Sequence, residues 1–289
     1  MAVPQQSRRE AVRTKVDYFD DPGVPLVPMV IGGPEKPKRQ PKIATPVTIG
    51  NVRGREGDFT LDKQGFQYVK HKSKFTSFDD AELVRREHYP ELEVMLREAL
   101  ENTKGLGNDK AQAIQHSHDD TYPALQPRGG RGAQGPRRTA LRRARGPVLL
   151  GGRGVAQRWL GDRAEELLQK PRYMIINIWR PVQTITRDPL AVCDAQSVPD
   201  SDLVFVPVQF PDHKTEAVEQ HRWYFMDGQT PEDVLLFKQV DSCTAPGVPR
   251  RTPHCAFRDK GLAEGEGEPR QSIEIRAFVF FDQVSSDEA

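Results

Sequence analysis

The 289-residue chain has 42 basic and 41 acidic residues, so its formal net charge of +1 creates no overall field that would attract nucleic acid or a membrane surface. Three cysteines are too few, and odd in number, for a disulfide framework, which predicts a reducing, cytoplasmic location. No apolar run approaches the roughly 20 residues of a membrane span, and the N-terminus lacks the apolar core of a secretion signal.

Residues 1–45 are rich in proline, glycine and charge, and predict an extended or partly disordered N-terminal arm. Two short strands around glycine-containing turns follow, in TPVTIGNVRG and DFTLDKQGFQYV. Asp79 or Asp80 can cap a helix that begins at Ala81, and Pro90 suits the first turn of its continuation. Beyond a basic segment, GDRAEELLQK predicts a second short helix.

From residue 172 onward the pattern becomes extended. Five runs enriched in β-branched and aromatic residues are separated by turn residues: RYMIINIWRP, SDLVFVPVQF, HRWYFM, DVLLFKQV and SIEIRAFVFF. In the last run, Ile273, Ile275, Ala277 and Val279 share one face of the strand, and Glu274, Arg276 and Phe278 share the other. Consecutive strands without intervening helices predict a mainly β fold with flanking helices and a jelly-roll core.

Two places in this half carry candidate chemistry. His254 lies in TPHCAF, and Arg270, Ser272 and Arg276 open the final strand. A lone histidine is usually a surface or core residue, and strand-edge arginines are usually solvated. Together, however, a late histidine and a following Arg-x-Ser fit half of an iron(II) and 2-oxoglutarate site, because arginine pairs with both oxygens of a carboxylate and histidine is a common iron ligand.

Several longer motifs carry a family resemblance. IINIWRPV, DPLAVCDAQSVPDSDLV, HRWYF, PEDVLLFKQVDS, PHCAFRD and RQSIEIRAFVF resemble a microbial, largely fungal oxidoreductase family. Its members include gibberellin-desaturase-like hydroxylase/desaturases, a cephamycin-methoxylation component and an endoperoxide-forming meroterpenoid enzyme. The resemblance covers roughly residues 46–113 and 158–281.

The resemblance implies a double-stranded β-helix of the jelly-roll or cupin type over residues 46–281, with a short tail at 282–289. It implies nonheme Fe(II), 2-oxoglutarate and O2, used to hydroxylate or desaturate a small secondary metabolite. His254 falls at the family's distal iron histidine, and Arg270 with Ser272 falls where the cosubstrate carboxylate is held. Arg276 either reaches the cosubstrate or pairs with an acid.

The proximal iron ligands have an unusual spacing in this sequence. His118 and Asp120 form a His-x-Asp and are the candidates for the two remaining metal ligands, but His118 precedes Asn177 by 59 residues. In the family a His-x-Asp-Gln-Ser-Tyr stretch precedes Asn-x-Trp-Arg-Pro at roughly half that distance. A long structureless insertion between two barrel strands is unusual in a compact domain.

A shifted reading frame is one explanation for the unusual spacing. With suitable codons, residues 143–155 shifted by one base encode Val-His-Val-Asp-Gln-Ser-Tyr, and IQHSHDDTYP similarly yields a second family-like element. We therefore hypothesise that residues 114–157 are translated out of frame, which would remove the true His-x-Asp and leave the chain inactive.

The alternative is a non-catalytic or RNA-binding protein acting through the RGG-like segment 124–158. That segment lacks the interleaved aromatic residues usual in RNA-binding segments, so a nucleic-acid partner is not expected.

Overall fold

The fold is given by a computed structural model. It describes residues 9–19, 42–75, 80–101, 111–117, 156–157, 160–199, 202–206, 212–215, 221–259 and 267–282. The strands are β1 (Ala11–Phe19), β2 (Lys42–Asn51), β3 (Phe66–Lys70), β4 (Ala111–Ser117), β5 (Arg172–Pro181), β6 (Leu190–Cys193), β7 (Leu203–Val206), β8 (Asp212–Thr215), β9 (Trp223–Phe225), β10 (Asp233–Asp241), β11 (His254–Ala256) and β12 (Ser272–Phe281). The helices are α1 (Ala81–Leu83), a π-helical turn (Val84–His88), α2 (Tyr89–Glu101), α3 (Ala164–Leu167) and 3-10 turns at Glu56–Asp58, Gly161–Arg163 and Ala195–Ser197.

Ten of the strands form two five-stranded sheets. We call the sheet with strand order β3-β10-β5-β12-β4 the major sheet and the sheet with order β1-β2-β9-β6-β11 the minor sheet; β7 and β8 pair separately. Neighbouring strands are antiparallel except β2 and β9, which are parallel. The predicted mainly antiparallel β architecture is confirmed.

The major sheet has an inner and an outer face. Trp179 and Phe237 share a hydrophobic cluster with Val192 of the minor sheet, so their side of the major sheet faces the minor sheet. On β12, Ile275 packs with α2 on the outer face, whereas Phe278 lies in a different cluster on the other side. The predicted division of this strand into two faces is therefore confirmed, as expected from the two-residue period of a strand.

The predicted helix at residue 81 is also present. Asp80 Oδ1 accepts hydrogen bonds from the backbone N–H groups of Glu82 and Leu83, at 2.9 and 3.1 Å, which is the capping role expected of Asp80. The helical run continues through the π-helical turn into α2. The apolar side of α2 covers the outer face of the major sheet.

The structure differs from the prediction of an N-terminal arm over residues 1–45. Within that range, β1 pairs with β2 along its full length and belongs to the minor sheet. Val12, Val16 and Tyr18 alternate along β1 and are buried in the core of that sheet, which stabilises its place in the fold. The folded domain therefore starts well before residue 46.

The Arg- and Gly-rich segment lies largely outside the described residues, as do residues 283–289 of the predicted tail. Residues 114–117, at the start of the segment hypothesised to be out of frame, belong to β4 and pair with β12. Ala156, near its end, is buried beside Ala164 of α3. No helix among the described residues is long and apolar enough to cross a membrane.

Candidate active site

His254 lies on the inner side of the minor sheet. It pairs with Val192 across β11 and β6, and its ring centroid is 4.5 Å from that of Phe237 in the major sheet. The next residue, Cys255, packs on the opposite face of the minor sheet. The strand alternation therefore directs the half-buried imidazole towards the space between the two sheets.

The orientation of this imidazole follows from one hydrogen bond. His254 Nδ1 is 3.0 Å from the carbonyl oxygen of Thr252. Because a carbonyl only accepts, Nδ1 carries the proton, and Nε2 is the nitrogen with the lone pair in the neutral ring. This tautomer suits a metal ligand that binds through Nε2.

Arg270 precedes β12 and is held by two neutral groups. Its Nη1 donates a hydrogen bond to the backbone carbonyl of Asp188 at 3.1 Å, and its Cζ lies 5.6 Å from the centre of the Trp179 ring. The guanidinium forms no ion pair with a residue in the described ranges. Its burial lowers the pKa of Arg270, an effect that Asp188 and Glu274 oppose through their charges.

Further polar side chains follow on the inner side of β12 and β5. Asn177 Nδ2 donates a hydrogen bond to Glu274 Oε1 at 2.5 Å. Asn177 Oδ1 is buried and accepts no hydrogen bond from the described part of the chain. Ser272 and Arg276, both half-buried, alternate with Ile273 and Ile275 and so belong to the same side of β12 as Glu274.

The structure thus brings some predicted site residues to one space. His254 is directed into the space between the sheets, and Arg270 is anchored at its edge on Trp179. Ser272 and Arg276 lie on the strand face that continues from Arg270. His118 and Asp120 lie outside the described residues, so their predicted role as metal ligands stays a prediction.

The donor groups fit the two expected cofactors to different degrees. A half-buried guanidinium without a carboxylate partner fits the far carboxylate of 2-oxoglutarate, which needs a cation inside the barrel. For iron, the residues that the structure describes contain no group of three His, Cys, Asp or Glu side chains that could hold a metal ion. They contribute one candidate ligand, His254, and do not complete an iron site by themselves.

Sequence reasoning missed three contributors to this space. Asp188 supplies a backbone carbonyl, Phe237 supplies a ring against His254, and Asn177 with Glu274 forms a polar pair. The resemblance motifs contain all four residues, but none of them is of a type that signals its contact. Arg180, adjacent to Trp179, alternates to the outer face, where burial lowers its pKa and the charges of Glu91 and Glu232 oppose that effect.

Comparisons with known proteins identify the family. Residues 16–280 match the family described as Oxidoreductase/YMDC permease-like domain. The chain is 35% identical to the alpha-ketoglutarate-dependent dioxygenase phiK of a fungal species, over 81% of this chain and 83% of that protein. It is 33% identical to hydroxylase/desaturase CTB9 of Cercospora beticola, over 83% and 78% of the two chains, and 31% identical to hydroxylase/desaturase efuI of Hormonema carpetanum, over 94% and 95%.

Solved structures agree with the fold. The iron and alpha-ketoglutarate-dependent endoperoxidase NvfI superposes with a TM-score of 0.73 over 94% of this chain and 99% of that chain, at 20% sequence identity. This likeness confirms the predicted double-stranded β-helix. The chain is therefore a member of the largely fungal hydroxylase/desaturase family of oxidoreductases that use iron(II), 2-oxoglutarate and O2, as its motifs predicted.

Proposed function

We propose that the barrel binds 2-oxoglutarate through Arg270 and oxidises a small secondary metabolite by hydroxylation or desaturation. The observation that carries this proposal is the guanidinium of Arg270, which is anchored by a ring and a backbone carbonyl but forms no ion pair within the described chain. A carboxylate that pairs with such a cation forms short, charge-assisted hydrogen bonds. Ser272, two residues further along the strand, provides a hydroxyl for the same carboxylate.

His254 is the second part of the proposed site. Its proton on Nδ1, held by Thr252, leaves Nε2 as the ligand atom for iron. Iron bound there supplies the activation of O2 that this family couples to oxidation of 2-oxoglutarate. Arg276 lies further along the same strand face and contributes a second positive charge near the cosubstrate. Phe237 packs beside the imidazole and excludes water from that side.

Binding of 2-oxoglutarate to the full chain tests the role of Arg270. Ligand-observed NMR at neutral pH measures the affinity in the unaltered protein, in Arg270→Leu and in Arg85→Leu, which removes an exposed helix cation of equal charge. We expect Arg270→Leu to weaken binding by about tenfold or more, because a charge-assisted hydrogen bond is lost. Arg85→Leu keeps the original affinity. Equal affinities in all three proteins would overturn the proposal.

We also propose that residues 114–157 are out of frame and that this chain binds iron weakly. The support is compositional: no acidic residue lies between Thr121 and Gly161, although acids make up 41 of the 289 residues. The shifted frame restores a His-x-Asp at the family's spacing. Without it, His254 is the one secure protein ligand, and one imidazole holds a labile divalent ion poorly.

Two measurements decide between a damaged and an intact site. Sequencing the transcript across residues 114–157 reveals the frame, and an intact mRNA that encodes the printed chain contradicts the hypothesis. Titration of the purified protein with Fe(II) is expected to show no saturation in the micromolar range. Micromolar affinity would mean that His118 and Asp120, or other residues, complete the site.

The proposal includes a cytoplasmic location and a small-molecule substrate without a nucleic-acid partner. The three cysteines are free thiols, two of them buried, which fits a reducing compartment. Fractionation of cells that produce the tagged chain tests the location, and recovery in a secreted or organelle fraction would contradict it.

A further inference from the structure

We infer that Asp188 and Trp179 are positioning residues: together they fix the guanidinium of Arg270 and so set the affinity and selectivity of the barrel for a dicarboxylate. The inference rests on the proposed function, because it concerns the carboxylate-binding role of Arg270. A half-buried cation is usually held in place by an ion pair. Here a backbone carbonyl and an indole ring hold it instead.

The backbone of Asp188 has an uncommon conformation. Its φ is 54°, and it is the one non-glycine residue with positive φ in the described part of the chain. The left-handed region is disfavoured for an L-residue, because its Cβ comes too close to the following carbonyl oxygen. A residue that precedes proline normally adopts an extended conformation, and Pro189 follows Asp188. Such a conformation persists where its surroundings require it, and it is frequent at functional sites.

The consequence of this conformation is a directed carbonyl group. The Asp188 carbonyl oxygen accepts the hydrogen bond from Arg270 Nη1 at 3.1 Å. The carboxylate of Asp188 forms no ion pair with Arg270, although its charge raises the pKa of Arg270: its Oδ2 is 3.6 Å from Arg187 Nε, and its Oδ1 is buried without a hydrogen-bond partner among the described residues. A neutral carbonyl fixes one N–H group of Arg270 without neutralising its charge. A carboxylate in that place would compete with an incoming anion.

Trp179 supplies the second constraint. Its side chain is 2% exposed and packs in the cluster shared by the two sheets, so its ring has little freedom to move. The Arg270 Cζ lies 5.6 Å from the centre of this ring, in the range of a cation–π contact. Within the described residues, the one hydrogen bond that the guanidinium donates is that of Nη1 to the Asp188 carbonyl. The remaining donors at its edge therefore stay available to a carboxylate.

The two chain segments that carry Asp188 and Arg270 are tied to each other. Glu268 N donates a hydrogen bond to Thr186 Oγ1 at 3.1 Å, and Gln183 Nε2 donates to the Pro269 carbonyl at 3.2 Å. A Cβ atom built on Gly267 would lie 3.0 Å from Thr186 Oγ1, so the segments approach closely there. These contacts hold together the two segments that carry the guanidinium and the carbonyl.

Binding of glutarate to the full chain tests the inference without iron, because glutarate lacks the keto group that chelates metal. Ligand-observed NMR measures its affinity and that of butyrate, which has one carboxylate. In Asp188→Val, a β-branched residue disfavours the left-handed conformation. In Asp188→Gly, that conformation is free of strain and the carbonyl remains. Trp179→Leu removes the aromatic face, and Trp179→Phe retains one.

We expect Asp188→Val and Trp179→Leu to weaken glutarate binding by about tenfold and to reduce the preference for glutarate over butyrate. Asp188→Gly and Trp179→Phe should stay within about threefold of the original affinity. Gly161→Val is the matched control, because it places a β-branched residue at φ 56° with no atom within 4 Å of the new Cβ, in a different segment. It should lower thermal stability and leave the preference unchanged.

The outcomes separate this inference from the proposed function. If Arg270→Leu leaves glutarate binding unchanged, the carboxylate-binding role itself fails. If Arg270→Leu abolishes binding while Asp188→Val and Trp179→Leu bind normally, the positioning roles are wrong and the function stands. An equal loss in Asp188→Gly and Asp188→Val would overturn the role of the backbone conformation. If Asp188→Val does not fold, the comparison of Trp179→Leu with Trp179→Phe tests whether the fixed guanidinium sets the affinity for glutarate.

Discussion

The rings of His254 and Phe237 lie 4.5 Å apart between centroids, at an interplanar angle of 53°, and so join the minor and major sheets across the barrel interior. Phe237 is fully buried and pairs with Asn177 on the neighbouring strand β5. The candidate metal ligand is thus supported by a core side chain rather than by a loop. Stability and site geometry are coupled at this contact.

Phe237→Ala should lower the free energy of unfolding by about 3–5 kcal/mol, because a large buried ring is replaced by a cavity. Phe237→Leu fills most of that volume and should cost about 1.5 kcal/mol or less. Urea unfolding followed by circular dichroism measures both. Similar costs for the two variants would show that cavity formation is not the cause.

A buried ionic cluster lies on two strands of the major sheet, β5 and β10. Lys238 Nζ lies 2.6 Å from both Asp62 Oδ1 and Asp241 Oδ2, and Arg172 contacts the same two carboxylates at 3.2 and 2.7 Å. The residues Arg172, Lys238 and Asp241 are completely buried. The two positive and two negative charges balance each other. Removing any one of them would leave an uncompensated buried charge, which is strongly destabilising.

Lys238→Met should therefore reduce the free energy of unfolding by about 3–5 kcal/mol, since it leaves an excess of buried negative charge. The double variant Lys238→Met/Asp62→Asn removes one cation and one anion, and it should recover part of the loss. Thermal and urea unfolding measure both proteins. Asp62→Asn alone completes the comparison. If the double variant loses more unfolding free energy than the two single variants together, charge balance does not explain the effect.

The same cluster predicts an acid-sensitive step in stability. Burial alone would raise the pKa of Asp241, but the charges of Lys238 and Arg172, with their hydrogen bonds, outweigh it and leave the pKa lowered. The contribution of this carboxylate is complete above the unfolded-state pKa of about 3.9 and is lost as the pH falls from there through the lower folded-state value.

In Asp241→Asn the urea midpoint should therefore depend less on pH below about 4 than in the original protein. The measurement is a series of urea unfolding curves between neutral pH and the acid limit of solubility. Asp58→Asn, which alters an exposed carboxylate on a 3-10 turn, is the control and should keep the original pH dependence. Parallel curves for Asp241→Asn would contradict the assignment.

The sequence predicts the family, the long strands and half of the candidate site. The sequence predicts β5, β10 and β12 because each is a long run of β-forming residues. It predicts Arg270 and His254 as site residues because family motifs contain them. β6 and β11 are missed, since three or four residues give no reliable period. The role of Asp188 depends on a φ angle that tertiary contacts impose, and no residue type signals it.

The N-terminal strand is missed for a different reason. Apart from its alternating Val12, Val16 and Tyr18, the region around β1 is dominated by charge, and the following residues are rich in proline and glycine. Composition over a long window therefore indicates an arm. The partner strand β2 begins only at Lys42, so the pairing that orders β1 is distant in sequence.

Tyr18 links β1 to β9, which is not its neighbour in the minor sheet, through a chain of hydrogen bonds. Trp223 Nε1 donates to the Tyr18 hydroxyl at 2.9 Å, and that hydroxyl is 3.2 Å from His221 Nδ1. His221 Nε2 is 3.0 Å from Asp202 Oδ2. Because an indole N–H only donates and a carboxylate only accepts, the Tyr18 hydroxyl accepts from Trp223 and His221 Nε2 donates to Asp202. Burial raises the pKa of the Tyr18 hydroxyl, so it keeps its proton at neutral pH.

Tyr18→Phe should cost about 1–3 kcal/mol of unfolding free energy, because it leaves the buried indole N–H of Trp223 without an acceptor. Lys15→Ala, at an exposed position of β1, is the matched control and should change stability by about 0.5 kcal/mol or less. Urea unfolding measures both, and indole fluorescence reports the surroundings of Trp223. If Tyr18→Phe is as stable as Lys15→Ala, the hydrogen bond between Trp223 and Tyr18 does not contribute to the stability of the domain.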